Sequence, residues 1–155
     1  MLVLFGINIE INQTPLMLSD QFDIIINSEA LAAMSGNYKI VVCLTENNIT
    51  NWQKDGDIDD DSYVHKHVLR SFLTPTFGED LANEEINNGD SFSNGFSPVI
   101  SDLENYNIDY SQNTLTLGNG NAGDWDLNNM YVLAYIYDES SNEILQVEEK
   151  SILNK

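Results

Sequence analysis

The chain has 155 residues, 42% of them hydrophobic, which suits one domain with one core; two folded domains would be hard to fit. Its 25 acidic against 6 basic residues give a formal net charge of -19, which repels phosphate backbones and anionic headgroups, so we expect no nucleic-acid partner. No stretch approaches the roughly 20 apolar residues that cross a bilayer, so we expect no direct membrane insertion.

The only cysteine, Cys43, lies in the apolar run Ile40 to Leu44, where an unpaired cysteine usually behaves as a small buried hydrophobe. No intramolecular disulfide can form, and thiol-disulfide exchange has no resolving partner in this chain. The first residues lack the basic flank and cleavage site of a signal peptide. Considered by itself, the chain is therefore expected to be soluble and cytoplasmic, an inference that fails if it is a fragment of a longer protein.

Alternation of apolar and polar residues dominates the pattern from the start of the chain. Phe5, Ile7, Ile9 and Ile11 alternate with small or polar residues, which predicts a half-buried strand. Further segments rich in β-branched or aromatic residues are also predicted to be strands: Gln21 to Asn27, Tyr38 to Glu46, Tyr63 to Thr74, Met130 to Asp138 and Glu143 to Lys150. The last two flank a short polar turn and form a predicted antiparallel hairpin.

Residues 75–129 are the least regular part of the chain. Gly78 to Ile86 is compatible with a short helix, and Leu115 to Leu117 with a short strand. No repeat or sustained helical period is present. Six or more strands with hairpin connections and little helix predict one all-β domain over residues 1–155, built as an antiparallel sandwich of two sheets of jelly-roll or immunoglobulin-like type.

Several segments resemble a known family of bacterial envelope proteins. The most specific is Tyr63 to Arg70, which resembles the C-terminal half of the Omp28-related outer membrane proteins of Bacteroidetes. Other segments are similar to the same half at fitting distances: Tyr38 to Ile49, Gln53, Gly78-Glu79, Tyr131 to Asp138 and Glu143 to Val147. The resemblance covers about three quarters of the chain, from Tyr38 onward.

This resemblance implies a β-sandwich module that follows a thioredoxin-like domain in an outer-membrane lipoprotein or secreted protein. The chain departs from that pattern because it contains no thioredoxin-like half, no Cys-x-x-Cys and no lipoprotein signal. We therefore expect a non-catalytic module that acts in domain packing or protein interaction. Its partner would be the neighbouring domain of the parent protein, or a protein or glycan at the cell surface. A carbohydrate-binding module is the alternative.

His65 and His67 are two residues apart in a predicted strand, so both rings would leave the same face, and His-x-His is a known metal-ligand spacing. Cupins use this spacing together with a glutamate a few residues later, whereas Val68 to Phe72 supplies no carboxylate. A metal-dependent hydrolase or oxygenase would need a third ligand from a distant strand. Structural histidines that hydrogen-bond to neighbours are the favoured interpretation.

Arg70 is the only arginine among many carboxylates, with Glu46 and Glu79 as candidate partners. A structural ion pair is the default interpretation, because lone arginines among acids are usually neutralised by them. The alternative is a clamp for a substrate carboxylate.

Trp52 and Trp125 are candidate sugar-binding residues, because aromatic rings can stack on sugars and sandwich modules often carry ligands on loops or on one sheet face. Tyr106, Tyr110 and Tyr131 would complete such a platform. Aromatic residues near loop and strand junctions more commonly plug the open ends of a sandwich.

Asp55, Asp57, Asp59 and Asp61 belong to the most acidic stretch, which is expected to form a loop before the strand that starts at Tyr63. Alternating aspartates can direct oxygen ligands toward one calcium ion, the only cofactor that the sequence suggests. The stretch does not match an EF-hand, which requires glycine where Asp60 stands. The favoured alternative is a solvated acidic loop without a ligand.

If calcium binds this stretch, it should raise the melting temperature by ligand linkage, because it relieves repulsion among the carboxylates. The measurement is thermal melting in calcium against chelator, repeated with Asp57→Asn and Asp59→Asn. A shift that disappears in both variants would support the site, and an unchanged midpoint in the wild type would remove it.

Overall fold

The computed structural model describes residues 3–13, 20–114 and 122–153, and within these ranges the chain forms ten strands, one α-helix and the 3-10 turn Leu127–Asn129. The strands are β1 (Phe5–Gln13), β2 (Phe22–Ala30), β3 (Met34–Glu46), β4 (Ile49–Asp55), β5 (Ile58–His65), β6 (Val68–Phe72), β7 (Glu79–Ile86), β8 (Ser91–Phe96), β9 (Met130–Asp138) and β10 (Ile144–Ser151). The helix α1 is Ile100–Asn113. The strand expected at Leu115 to Leu117 lies outside the described residues.

Two antiparallel sheets build the domain, which confirms the all-β sandwich class expected from the sequence. One sheet has the order β1-β2-β8. The other has the order β10-β9-β3-β6, and β7 pairs with the part of β3 that β6 leaves unpaired. Strands β4 and β5 form a separate two-stranded ribbon.

The core lies between the two sheets, where alternate residues of both form one buried cluster. Phe5 and Tyr38 meet across it with ring centroids 5.4 Å apart in an edge-to-face arrangement, which aromatic pairs prefer. The cluster contains residues of the first sheet (Phe5, Ile9, Ile11, Phe22, Ile24, Ile26, Ala30) and of the second (Tyr38, Ile40, Val42, Leu44, Met130, Val132, Ala134, Ile136).

Strand β3 is buried on both faces at its centre. Ile40, Val42 and Leu44 point into the core, whereas Val41 and Cys43 point to the opposite face and are buried as well. This explains the continuous apolar run, because a strand covered on both sides loses the alternation of a half-buried one. Burial of Cys43, as expected from the sequence, raises the pKa of its thiol to about 11, because the thiolate is poorly solvated there.

Three segments differ from the sequence expectations. Tyr63 to Thr74 is not one strand, because β5 ends at His65 and β6 begins at Val68. Gly78 to Ile86 is not a helix, since its residues pair with β3 as β7. The acidic stretch from Asp55 to Asp61 is not a loop but the distal part of the β4–β5 hairpin. Gly56 (φ 61°) opens its two-residue turn, where an ordinary residue would be strained.

Helix α1 was not expected from the sequence. Its N-cap, Val99, offers no side-chain hydrogen bond, so the local signal for a helix start is missing. Asp20 supplies it from a distant part of the chain: its backbone carbonyl accepts from Ile100 N and its carboxylate from Ser101 N at 2.9 Å. Hydrogen bonds from Ser101 lower the pKa of Asp20. Ile100 and Leu103 attach the helix to the core.

Gly78 occupies a position that no side chain can share. Its φ is 77°, and a Cβ atom there would lie 2.5 Å from the Ile40 carbonyl oxygen and 2.9 Å from Val41 Cγ2. Gly89 is a matched control, because its φ is 92° but nothing lies within 4 Å of its Cβ position. Both alanine variants are strained by about 1–2 kcal/mol, and Gly78→Ala should lose roughly 1–3 kcal/mol more through the clash. Equal losses in urea unfolding would contradict this packing.

Candidate functional site

Arg70, the only arginine, forms a buried ion pair with Glu46 at one end of the sandwich. Its Nε lies 2.7 Å from Glu46 Oε2, and the two side chains are 10% and 4% exposed. A β-bulge in the β3–β6 ladder, at Leu44 and Thr45, lets Arg70 reach the last residue of β3. The other oxygen of this carboxylate, Glu46 Oε1, accepts a hydrogen bond from Asp126 N at 3.0 Å. Both oxygens of this carboxylate are therefore satisfied.

Trp125 and helix α1 surround the ion pair. The Arg70 guanidinium carbon lies 5.7 Å from the centroid of the Trp125 ring, within cation–π range. Asn107 of α1 donates to the Arg70 carbonyl at 2.6 Å, and Glu104 of α1 accepts from Trp125 N at 3.2 Å. We call Glu46, Arg70, Glu104, Asn107 and Trp125 the Glu46–Arg70 cluster; it joins β3, β6, α1 and the segment before β9.

A polar cleft of about 290 Å³ adjoins this cluster. Its wall is internally bonded, since Asn48 donates to Asn129 Oδ1 at 2.9 Å and Asn129 donates to Asp126 Oδ2 at 2.8 Å. Amides and carboxylates of this kind can accept or donate hydrogen bonds to a small polar ligand. The geometry matches the structural interpretation of Arg70, because a ligand carboxylate would have to compete with the almost fully buried Glu46.

The two histidines do not share one strand face, which corrects the sequence interpretation. His65 is the last residue of β5, and its ring contacts the Tyr63 ring edge-on at 4.8 Å. His67 lies between β5 and β6 with φ 52°, and its Nε2 is 3.5 Å from Glu149 Oε1. The left-handed backbone at His67 turns its side chain out of the alternation on which the His-x-His hypothesis depends.

The candidate aromatic residues lie on different elements. Trp52 is on the ribbon strand β4 and is 54% exposed, whereas Trp125 packs against the core and donates its Nε1 hydrogen to Ala122 O. Tyr106 and Tyr110 are stacked on α1 with centroids 6.3 Å apart, and Tyr131 lies on β9. Trp125 thus fits the end-plug interpretation, and only Trp52 presents an exposed indole.

The acidic residues of the calcium hypothesis lie along the β4–β5 hairpin. Asp57 is in its turn, and Asp59 and Asp61 are exposed residues of β5. Among the described residues, no three acidic, histidine or cysteine side chains form a group that could hold a metal ion. The side chain of Asp55 is outside the described part, and calcium binding stays a prediction.

The face of the five-stranded sheet that points away from the core is apolar and partly exposed, a feature that the sequence analysis missed. Strand register places Val147 opposite Tyr135, and Tyr135 opposite Val41. Phe77 is 80% exposed, Ile144 55% and Val147 51%. We call the following residues the apolar outer face: Leu69, Phe72, Phe77, Leu133, Tyr135, Tyr137, Ile144 and Val147. A signal was present, because Met130 to Tyr137 is apolar or aromatic at every position.

A groove of about 210 Å³ crosses this face between the β6–β7 connection and β9. Tyr135, Tyr137 and Ile144 line one side of it, and Phe77 lines the other. Tyr137 donates its hydroxyl hydrogen to Phe77 O at 2.8 Å, which fixes the connection beside the sheet. The groove is therefore mainly apolar, with Thr76 and Asn142 as polar lining residues, and the bond from Tyr137 to Phe77 O joins its two sides.

Comparison with known proteins identifies the family. The sequence profile described as outer membrane protein Omp28 matches residues 6–155. The chain belongs to the Omp28 family. The match confirms the resemblance and extends it to β1 and β2.

Two solved structures share the fold of this Omp28-family chain. HBP35 of Porphyromonas gingivalis matches with a TM-score of 0.62 and 14% identity over 97% of this chain and 41% of the HBP35 chain. A domain of the outer membrane lipoprotein Omp28 from Porphyromonas gingivalis matches with a TM-score of 0.52 and 15% identity, over 98% of this chain and 90% of that domain. No curated protein matches the sequence.

Within the described residues, α1 lacks the length and apolar character that a membrane span requires. The family description and the fold together assign the chain to an outer membrane protein family with a β-rich structure.

The Glu46–Arg70 pair should be a large contributor to stability only while both partners are present. Arg70→Met leaves a buried carboxylate without its cation, so we expect the free energy of unfolding to fall by roughly 3–5 kcal/mol. The double variant Glu46→Met/Arg70→Met removes both charges and should recover most of that loss. Urea unfolding of the single and double variants measures the coupling. Small additive losses would show that the pair behaves as a surface ion pair instead.

Proposed function

We propose that this chain is a non-catalytic module of an envelope protein and that it associates with another polypeptide through the apolar outer face. The partner is a neighbouring domain of the same protein or a protein at the cell surface. The observation that carries the proposal is the partial exposure of Phe77, Ile144 and Val147 on one sheet face. Contiguous exposed apolar surface with a polar surround is typical of protein contact sites.

The composition of the face supports a polypeptide partner. Tyrosine and phenylalanine are enriched at interface centres, and the described part of this face contains Tyr135, Tyr137 and Phe77 around one groove. Charged groups flank these residues: Glu149, opposite Leu133, is 3.5 Å from His67 Nε2, and Lys39, opposite Tyr137, pairs with Asp80. An apolar centre with a polar border is the usual anatomy of a protein interface.

The relatives support a place beside other domains. This chain spans 41% of the HBP35 chain, so more than half of that protein lies outside the shared fold. An extracytoplasmic location, in the outer membrane or at the cell surface, belongs to the proposal and is supported by the family description.

The absence of catalysis is also part of the proposal. A nucleophilic cysteine needs an accessible thiolate of low pKa, whereas Cys43 is buried and its pKa is raised to about 11. The guanidinium of Arg70 is already bonded to Glu46. Cys43 therefore packs in the interior, and Arg70 forms an internal ion pair.

The test compares hydrogen exchange of the isolated chain with that of the complete gene product in its envelope. We expect amides of β9 and β10 to be better protected in the envelope, because a partner covers the outer face. Phe77→Ser and Val147→Lys should remove that added protection while changing the stability of the isolated chain by only about 0.5 kcal/mol, since both side chains are exposed.

Tyr106→Ser is the matched control, because Tyr106 is 67% exposed on α1 and is not one of the residues of the apolar outer face. It should leave the added protection intact. Equal exchange in the isolated chain and in the envelope would refute association through this face.

A further inference from the structure

A second surface, separate from the apolar outer face, projects from the end of β3. Strands β3 and β6 are paired up to Glu46 and Val68, and beyond these residues the chain continues as the ribbon β4–β5. The ladder breaks where Asn48 and His67 adopt left-handed backbone conformations, with φ 63° and 52°. Asn47 Oδ1 accepts from His67 N at 2.7 Å across this break. We call residues 49–65 the β4–β5 arm.

The arm pairs only with itself in the described part of the chain. Its two strands are joined from Ile49 with His65 to Asp55 with Ile58, and no described third strand extends this sheet. A two-stranded ribbon is marginally stable in water by itself and gains stability when a partner covers it.

Three large side chains of the arm are exposed. Trp52 is 54% exposed, Val64 47% and Tyr63 42%. Tryptophan and tyrosine are the residues that most often dominate binding energy at interfaces, because they bury a large area with few rotatable bonds. No described side chain of the ribbon belongs to the buried core cluster, so the exposure of these three residues favours a binding role over a packing role.

The charge of the arm identifies the kind of partner. Asp57, Asp59, Asp60 and Asp61 are exposed, against one lysine, Lys54. Asp60 is oriented by Ser62, whose N and Oγ donate to it at 2.9 and 3.1 Å. This field repels nucleic acid and anionic lipid and attracts ammonium and guanidinium groups.

We propose that the β4–β5 arm binds a lysine- or arginine-rich polypeptide segment. The aspartates of β5 pair with its cations. The ring of Trp52 lies on the same ribbon face as Val64, which is paired with Thr50, and supplies apolar contact and cation–π attraction. The free backbone edges of the ribbon add hydrogen bonds to an extended segment, as in other cases of strand addition. This function goes beyond association through the apolar outer face and uses none of its residues.

The test follows Trp52 fluorescence in a Trp125→Phe background, where Trp52 is the only indole. The probe is a short synthetic peptide of alternating lysine and valine, and the control peptide alternates glutamate and valine. Titrations contain chelator, so that calcium does not compete. We expect a saturable emission change with the lysine peptide that weakens as salt is added, and none with the glutamate peptide.

A matched pair of triple variants separates the arm from the overall acidity of the chain. Asp59→Asn/Asp60→Asn/Asp61→Asn should weaken binding about tenfold, because three exposed ion pairs are lost. Asp102→Asn/Glu143→Gln/Glu148→Gln removes the same charge from exposed positions outside the arm and should weaken binding much less. Val64→Lys tests the apolar contact and should also weaken binding. Melting temperatures of all variants confirm that the sandwich is folded.

Three outcomes would overturn the proposal. Equal weakening by both triple variants would show that only the net charge attracts the peptide. Equal binding of the glutamate peptide would exclude charge recognition. A salt-insensitive emission change with a soluble polysaccharide and none with the lysine peptide would assign Trp52 to a glycan site. Failure of the outer-face experiment would leave the arm proposal intact, because the variants of the two tests do not overlap.

Discussion

The buried ion pair between Arg70 and Glu46 is the constraint on which one end of the molecule depends. A carboxylate that is 4% exposed, in a chain of net charge -19, is stable only with a close cation, and the chain has one arginine to supply it. The Arg70 guanidinium also lies over the Trp125 ring, and the Glu46 carboxylate accepts a hydrogen bond from Asp126 N. The pair therefore lies beside the last paired residues of β3 and β6, next to the point where the arm leaves the sandwich.

The central strand sets a second constraint on function. Because β3 is apolar on both faces, the five-stranded sheet needs cover on both sides. The three-stranded sheet covers one side, and neighbouring side chains bury Val41 and Cys43 on the other without covering Phe77 or Val147. The residues that complete the burial of β3 are thus themselves half exposed. This arrangement follows from strand register, so the partial exposure of the outer face is a consequence of the fold as well as the basis of the proposed contact.

The sequence predicted what depends on neighbouring residues and missed what depends on distant ones. Alternation located β1, and β-branched or aromatic content located β2, β3, β9 and β10. Charge scarcity gave Glu46 and Glu79 as candidate partners of Arg70, and the structure pairs it with Glu46. Helix α1 was missed because its first turn is bonded to Asp20, about eighty residues earlier in the chain. Strand β7 contains several good helix formers, and only its pairing with β3 decides its conformation. The split at His67 depends on one left-handed residue that no local pattern marks.

The aspartates of the β4–β5 hairpin can discourage self-association of the arm and also attract a cationic partner. Unpaired ribbon edges invite self-association, and charged side chains on such strands are a common defence against it. Asp59, Asp60 and Asp61 meet this demand, because two acidic arms repel each other. Protection alone does not account for Trp52 and Tyr63, since exposed aromatic rings on a free ribbon increase the risk that the aspartates reduce. Both features are consistent with a partner of opposite charge, which the aspartates attract while they exclude a second copy of the arm.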